Sequence, residues 1–205
     1  VGVNPDQKVK IAGGNLWQTA GTPKAESAVN VGALVTAIAV SGRYAYLGTS
    51  NGSSGSVLIY DISNPASPVS AGGYQSSNLE RITALTIAGN YVYAGTKGSS
   101  DACPASLSAS SDLLKCELIV LDISNPKNPT LVGWAEIGSS VNDIAISGRY
   151  VYLAIDVSDS KGMKVFDVSN PTNPSFVGGA ELGTGGENGY AIFVSGKYAY
   201  GGNND

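Results

Sequence analysis

The sequence predicts an all-β protein in which one four-stranded antiparallel unit is used several times, and three observations carry that reading. The 205 residues include 27 glycines, eleven tyrosines against three phenylalanines, and only 14% charged residues. That profile suits turns and half-buried pleated surfaces better than helices. Four segments also repeat one pattern: "TAIAVSGRYAYLGT" (36–49), "TALTIAGNYVYAGT" (83–96), "NDIAISGRYVYLAI" (142–155) and "YAIFVSGKYAYGGN" (190–203). Finally, the phrase D-[I/V]-S-N-P-x-x-P is written three times, as "DISNPASP" (61–68), "DISNPKNP" (122–129) and "DVSNPTNP" (167–174).

Each repeat resolves into strands A to D. Strand A is a run of small apolar residues that ends at Gly42, Gly89, Gly148 or Gly196, where a tight hairpin needs a residue tolerant of positive φ. Strand B follows as Tyr-x-Tyr: Tyr44/Tyr46, Tyr91/Tyr93, Tyr150/Tyr152 and Tyr198/Tyr200. At i, i+2 spacing each pair faces one side of its strand, which predicts packing between neighbouring sheets with the hydroxyls reaching turn groups. Strand C is a β-rich run closed by aspartate: "SVLIYD" (56–61), "ELIVLD" (117–122) and "GMKVFD" (162–167). Strand D begins "VSAGGYQ", "TLVGWAEI" or "SFVGGAEL". Four short strands recurring roughly every 45–50 residues with polar turns are the signature of a propeller blade. The units span about 36–76, 82–137 and 141–182.

The thrice-written phrase is the C-to-D turn. Asp61, Asp122 and Asp167 are placed to accept turn amides. Asn64, Asn125 and Asn170 precede proline and are pushed towards extended geometry. Pro65, Pro126 and Pro171 preset the turn, and Pro68, Pro129 and Pro174 start strand D, an outer edge where proline is tolerated and discourages edge-to-edge aggregation. A catalytic loop is used once; an element used three times is a joint.

Strand C of the second unit, Leu118-Ile119-Val120-Leu121-Asp122, with "SGRYAYLGT" before and "DISNPxxP" after it in the repeats, resembles the LVIVD repeat family of bacterial and archaeal surface and secreted proteins. The resemblance covers residues 36–182. It implies a β-propeller and an extracellular address, and brings no catalytic residues with it.

The ends supply a further expectation. The C-terminal unit has only strands A and B, whereas 8–12 resembles strand C and 26–31 strand D. A single domain over 1–205 is therefore expected to have about four blades, one of them a composite of 188–203 with 8–32. The alternative is part of a larger propeller. Pairing within one chain is favoured by effective concentration; pairing between chains gives larger rings or filaments.

Composition narrows the function. A net charge of −4 without a basic run lacks the footprint of a nucleic-acid binder. No apolar run approaches the roughly 18 residues of a membrane span. The start at Val1 rather than Met is what a processed or trimmed product would show. Cys103 and Cys116 bracket "PASLSASSDLLK", the one insertion in an otherwise regular unit, and the chain has no histidine. They read best as a disulfide, worth roughly 3 kcal/mol in the loop-entropy model, which favours a secreted or surface protein; the alternatives are two free cytosolic thiols or half of a metal site.

Enzyme signals are poor: no histidine, no nucleophile with a neighbouring base, and a "GTGGEN" (183–188) outside any nucleotide-binding strand–helix pattern. Asp156, Ser158, Asp159 and Ser160 alternate oxygen ligands, yet lack the glycine and glutamate of an EF-hand and read as a solvated turn. Asp143 replaces Ala37, Ala84 and Ala191 of the other units, so it is expected to line the central channel or bond a turn amide. No catalytic residue, metal or cofactor is expected.

The A–B and C–D turns, constant from unit to unit, share one rim. The B–C and D–A loops, which vary, share the other: "SNGSSG" (50–55), the insertion 97–115, "DVSDSKG" (156–162), "SSNLER" (76–81), "GSS" (138–140) and "GTGGEN". Variable loops on a fixed scaffold are where binding usually sits. The expected function is a non-enzymatic extracellular binding or adhesion module whose partner is a protein or glycan. The alternative is a structural subunit of a filament or surface layer whose partners are copies of itself.

Overall fold

The computed structural model of the chain describes residues 10–11, 14–15, 26–52, 54–76, 79–98, 116–158, 160–183 and 186–203. It contains three four-stranded antiparallel sheets and two two-stranded ones. β1 (Lys10–Ile11) pairs with β2 (Gly14–Asn15). The first blade is β3 (Leu34–Ser41), β4 (Tyr44–Asn51), β5 (Ser54–Asp61) and β6 (Val69–Gln75). The second is β7 (Ile82–Ala88), β8 (Tyr91–Thr96), β9 (Leu118–Asp122) and β10 (Thr130–Ala135). The third is β11 (Val141–Ser147), β12 (Tyr150–Ser158), β13 (Lys161–Asp167) and β14 (Ser175–Ala180), and the chain's last hairpin is β15 (Gly189–Ser195) with β16 (Tyr198–Asn203). In each full blade the strands are hydrogen-bonded in sequence order, as the repeat predicts.

The four A–B hairpins share one register. Gly42, Gly89, Gly148 and Gly196 have φ of 57°, 56°, 58° and 58°, as expected of glycine in the first position of a two-residue hairpin loop. Each first strand carries a bulge at the same place: Val35/Ala37, Ile82/Ala84, Val141/Asp143 and Gly189/Ala191. The first strands pack side by side in the order β3, β7, β11, β15, the arrangement of innermost strands in a propeller.

The core lies between blades. One cluster joins the first two and contains Tyr46, Val57, Ile59, Ile82, Leu85, Ile119 and Leu121; a second joins blades two and three and contains Tyr93, Leu118, Val120, Val141, Ile144, Leu153 and Phe166. Strand β9 divides its alternate residues between them, Leu118 and Val120 to one side, Ile119 and Leu121 to the other. This explains why its sequence is an unbroken apolar run: it belongs to the middle blade and is covered on both faces. In the first blade β5 buries only alternate residues, Val57 and Ile59, and leaves Leu58 and Tyr60 half-buried.

Among the described residues, β15 and β16 form a two-stranded sheet, β1 pairs with its neighbour β2, and residues 26–31 are in no strand. Much of the segment expected to complete the composite blade lies outside the described residues. The β1–β2 contact is local, and closing so short a loop costs less entropy than reaching the far end of the chain.

Candidate functional site

The C–D turns are built alike from their own side chains. Asp61, Asp122 and Asp167 accept through Oδ1 the amides of Ser63 (2.9 Å), Ser124 (2.8 Å) and Ser169 (2.8 Å). Asn64, Asn125 and Asn170 accept the amides of Ala66, Lys127 and Thr172, each at 3.2 Å. Arg43 pairs with Asp61, and Arg149 with Asp167 at 3.2 Å. Hydrogen bonds hold all three carboxyls below the usual aspartate range: the Ser63 and Ser124 side chains, then their amides, for Asp61 and Asp122, and the Ser169 amide and then its side chain for Asp167. These aspartates are occupied by the turn. A Cβ added at Gly72 or Gly133 of the preceding blade would clash with the carbonyl of Pro126 or Pro171. The turn is therefore also an inter-blade spacer, a role that requires glycine opposite it.

The other rim carries the variable loops. Beside the first blade, Asn51, Ser54, Gly55, Ser56, Gln75 and Ser76 line a polar cleft of about 260 Å³. The base of the insertion is pinned beside the second blade. Thr96 donates from its amide to the Glu117 carbonyl (2.9 Å) and from Oγ1 to the Cys116 carbonyl (3.1 Å). Across the loop, the Gly98 amide donates to Ser140 Oγ at 3.0 Å. Cys116 is buried and no described cysteine is free; Cys103 and residues 99–115 lie outside the described residues.

Glu117, missed by sequence reasoning, is fully buried, and its Oε2 accepts the amides of Ile137 (2.9 Å) and Gly138 (3.2 Å). It ties the insertion's exit to the D–A loop. A charged residue directly before an apolar strand was the available signal.

Asp143 does reach inward, but its Oδ2 accepts the Ile192 amide of β15 at 2.8 Å while Oδ1 accepts the Ile144 amide at 2.8 Å. It joins two inner strands. Asp156 accepts from Asn142 Nδ2 at 2.8 Å, and Asn142 also donates to the Gly189 carbonyl at 2.8 Å; Asp159 is outside the described residues. Among the described residues no three His, Cys, Asp or Glu side chains gather as a metal site, and no helix is long and apolar enough to cross a membrane.

The tyrosine pairs pack as expected where a following blade is complete. Tyr46 and Tyr93 are each 3% exposed, whereas Tyr200 is 56% exposed. Burial also pushes the pKa of Tyr46 and Tyr93 above the ordinary phenol value, disfavouring the phenolate.

Comparisons with known proteins agree with this architecture. The chain is similar to the crystal structure of the computationally designed Ika4 protein, with a TM-score of 0.59 and 16% identity over 89% of this chain and 93% of that one. It is also similar to the β-propeller domain of Cps50 (Swd1) from Myceliophteria thermophila, with a TM-score of 0.53 and 15% identity, over 78% of this chain but 44% of that one. Sequence comparison finds no match among curated proteins. The LVIVD repeat pattern matches residues 34–76, 115–135 and 138–180, more than half of the sequence, and this β-propeller chain therefore belongs to the LVIVD repeat family.

Proposed function

We propose that the chain is a non-enzymatic extracellular or cell-surface binding module that engages a protein or glycan through its variable rim. The observation that carries this reading is the contrast between the rims. On one, every described C–D turn consumes its own Asp and Asn side chains in an identical hydrogen-bond pattern. On the other, two loops of the first blade line a polar cleft, and the sequence carries a 97–115 insertion that the repeat does not need. A Cys103–Cys116 disulfide belongs to this reading, as a staple across the insertion and a mark of an oxidising compartment.

The test is binding to an immobilised glycan array and to surface proteins, comparing the chain with a variant whose residues 98–115 are shortened to a Gly-Ser turn. Loss of binding at unchanged melting temperature supports the rim; full retention moves the site elsewhere. Intact mass with and without reduction before alkylation tests the staple. A second reading, a structural subunit of an extracellular filament, is favoured by the open apolar faces at both ends of the blade series.

A further inference from the structure

The blades interlock by a knob and a hole, and one of each is left over. In the first blade Gly48 faces Ile82 of the second: a Cβ on Gly48 would overlap Ile82 Cγ2 and lie 3.1 Å from its Cβ. In the second blade Gly95 faces Val141 of the third in the same way, 2.7 Å from Val141 Cβ. At the third junction both residues change together. Ala154 stands at the hole position and Gly189 at the knob position, as the shared register shows. The next hole is Gly202, opposite Ala191 as Gly48 is opposite Ala37. A Cβ there would meet only Ala191, at 3.7 Å. The knob without a hole is Val35, opposite Thr49 as Ile82 is opposite Thr96.

The surroundings of the two positions match. Leu85, Ile144 and Ile192 occupy one position of successive inner strands and are 8%, 7% and 6% exposed; Ile38, their counterpart in β3, is 64% exposed. Tyr200, beside the vacant hole, is exposed where Tyr46 and Tyr93 are buried. Among the described residues, the face of β3 thus lacks a preceding blade, and the face of β16 lacks a following one.

One segment of the missing junction is already in position. Gly72 and Gly133 each sit against the first proline carbonyl of the next blade's C–D turn, Pro126 and Pro171. Ser27 donates from Oγ to the corresponding carbonyl, Pro65, at 2.6 Å; it lies eight residues before Val35, as Gly133 lies eight before Val141, while Gly72 lies ten before Ile82. Residues 26–30 therefore run along the first blade where the outer strand of a preceding blade would lie. Among the described residues, β3 and β15 lack the close packing that joins each neighbouring pair of inner strands.

We infer that the partner of this face is a second copy of the chain, docked head to tail so that Val35 and Ile38 of one copy cover Gly202 and Tyr200 of the other. The 26–30 segment arrives with the second copy as outer strand of the blade begun by β15 and β16. The inference deepens the filament reading, although a closed ring of copies would satisfy it equally, and it is independent of what the rim binds. A heterologous contact of this kind closes or propagates according to its rotation.

The test mixes full-length Val35→Cys and Gly202→Cys chains under mild oxidation. Neither can link the two positions within itself, so a covalent dimer mapped to 35–202 by peptide mass supports the junction. No cross-link, or a Val35→Cys/Gly202→Cys double variant that links only within a monomer, overturns it. Sedimentation velocity supplies the second arm. Gly202→Leu, which fills the hole, is expected to weaken self-association about tenfold or more, with the circular-dichroism spectrum unchanged. The swapped pair Gly202→Ala/Val35→Gly, which copies the Ala154–Gly189 junction, is expected to restore it. Association insensitive to Gly202→Leu overturns the junction while leaving the filament reading standing. Closed cross-linked rings uphold the junction and dismiss the filament.

Discussion

Substituting Gly95 by alanine tests whether the blades interlock as described. Its φ lies outside the left-handed region, so alanine is tolerated by the backbone and the effect isolates packing. The added Cβ would overlap Val141 Cγ1 and lie 2.7 Å from Val141 Cβ. Val141 is β-branched, restricted at χ1 and fully buried, so it cannot swing clear, and relief requires the third blade to shift. Overpacking of this kind costs about 1–3 kcal/mol, and the lower unfolded-state entropy of alanine returns roughly 0.4–1 kcal/mol. For a chain of this size each kcal/mol moves the melting temperature by about 2–4 °C, so Gly95→Ala should melt several degrees lower. Gly202→Ala, at the equivalent position but facing open space, should leave the isolated chain unchanged or slightly stabilised. Differential scanning calorimetry at low protein concentration reads both. A Gly95→Ala/Val141→Ala double variant should show coupling of about 0.5–3 kcal/mol. Equal melting temperatures for Gly95→Ala and the parent, with no coupling, would refute the knob-and-hole account.

Glu117→Ala should lower stability by about 1–3 kcal/mol in urea denaturation, because it leaves the buried Ile137 amide without its acceptor, while Glu117→Gln should lose less. The C–D aspartates titrate below their unfolded value, so the stability they contribute is present above about pH 3.9 and is lost as pH falls through their folded values. Asp122→Asn should therefore flatten that part of the acid-unfolding curve and leave neutral pH little changed, checked by circular dichroism between neutral and strongly acid pH. Replacing both cysteines by serine should raise hydrogen exchange around 97–115 while protection of β8 and β9 persists; global loss of protection would give the insertion a wider structural role than proposed.

Much of the architecture was legible because the repeat reports the same constraint several times. The A–B glycines, the Asp of the C–D turn and the apolar C strands each follow from a local requirement and are placed as read, whereas the Asn side chains of that turn proved to accept amides, a role the sequence reading did not assign. Inter-blade complementarity was less legible. Gly48 and Gly95 look like ordinary strand glycines until Ile82 and Val141 are set opposite them, a relation between residues far apart in sequence. Glu117 was missed because its acceptor role depends on Ile137 and Gly138 from a later loop. The composite blade was read from complementary ends, and strand patterning alone carries no information about which copy supplies the partner. The variable rim was recognised by contrast between units, since a loop's sequence names no ligand.

The most direct measurement is an electron-microscopy reconstruction of the purified chain, read at the boundary between β16 and β3. The account predicts assemblies in which the Gly202 face of one copy meets the Val35 face of the next, with the 26–30 segment of the second copy at the outer side of the shared blade. A discrete monomer whose own β15–β16 hairpin covers Val35 and Ile38 would contradict it.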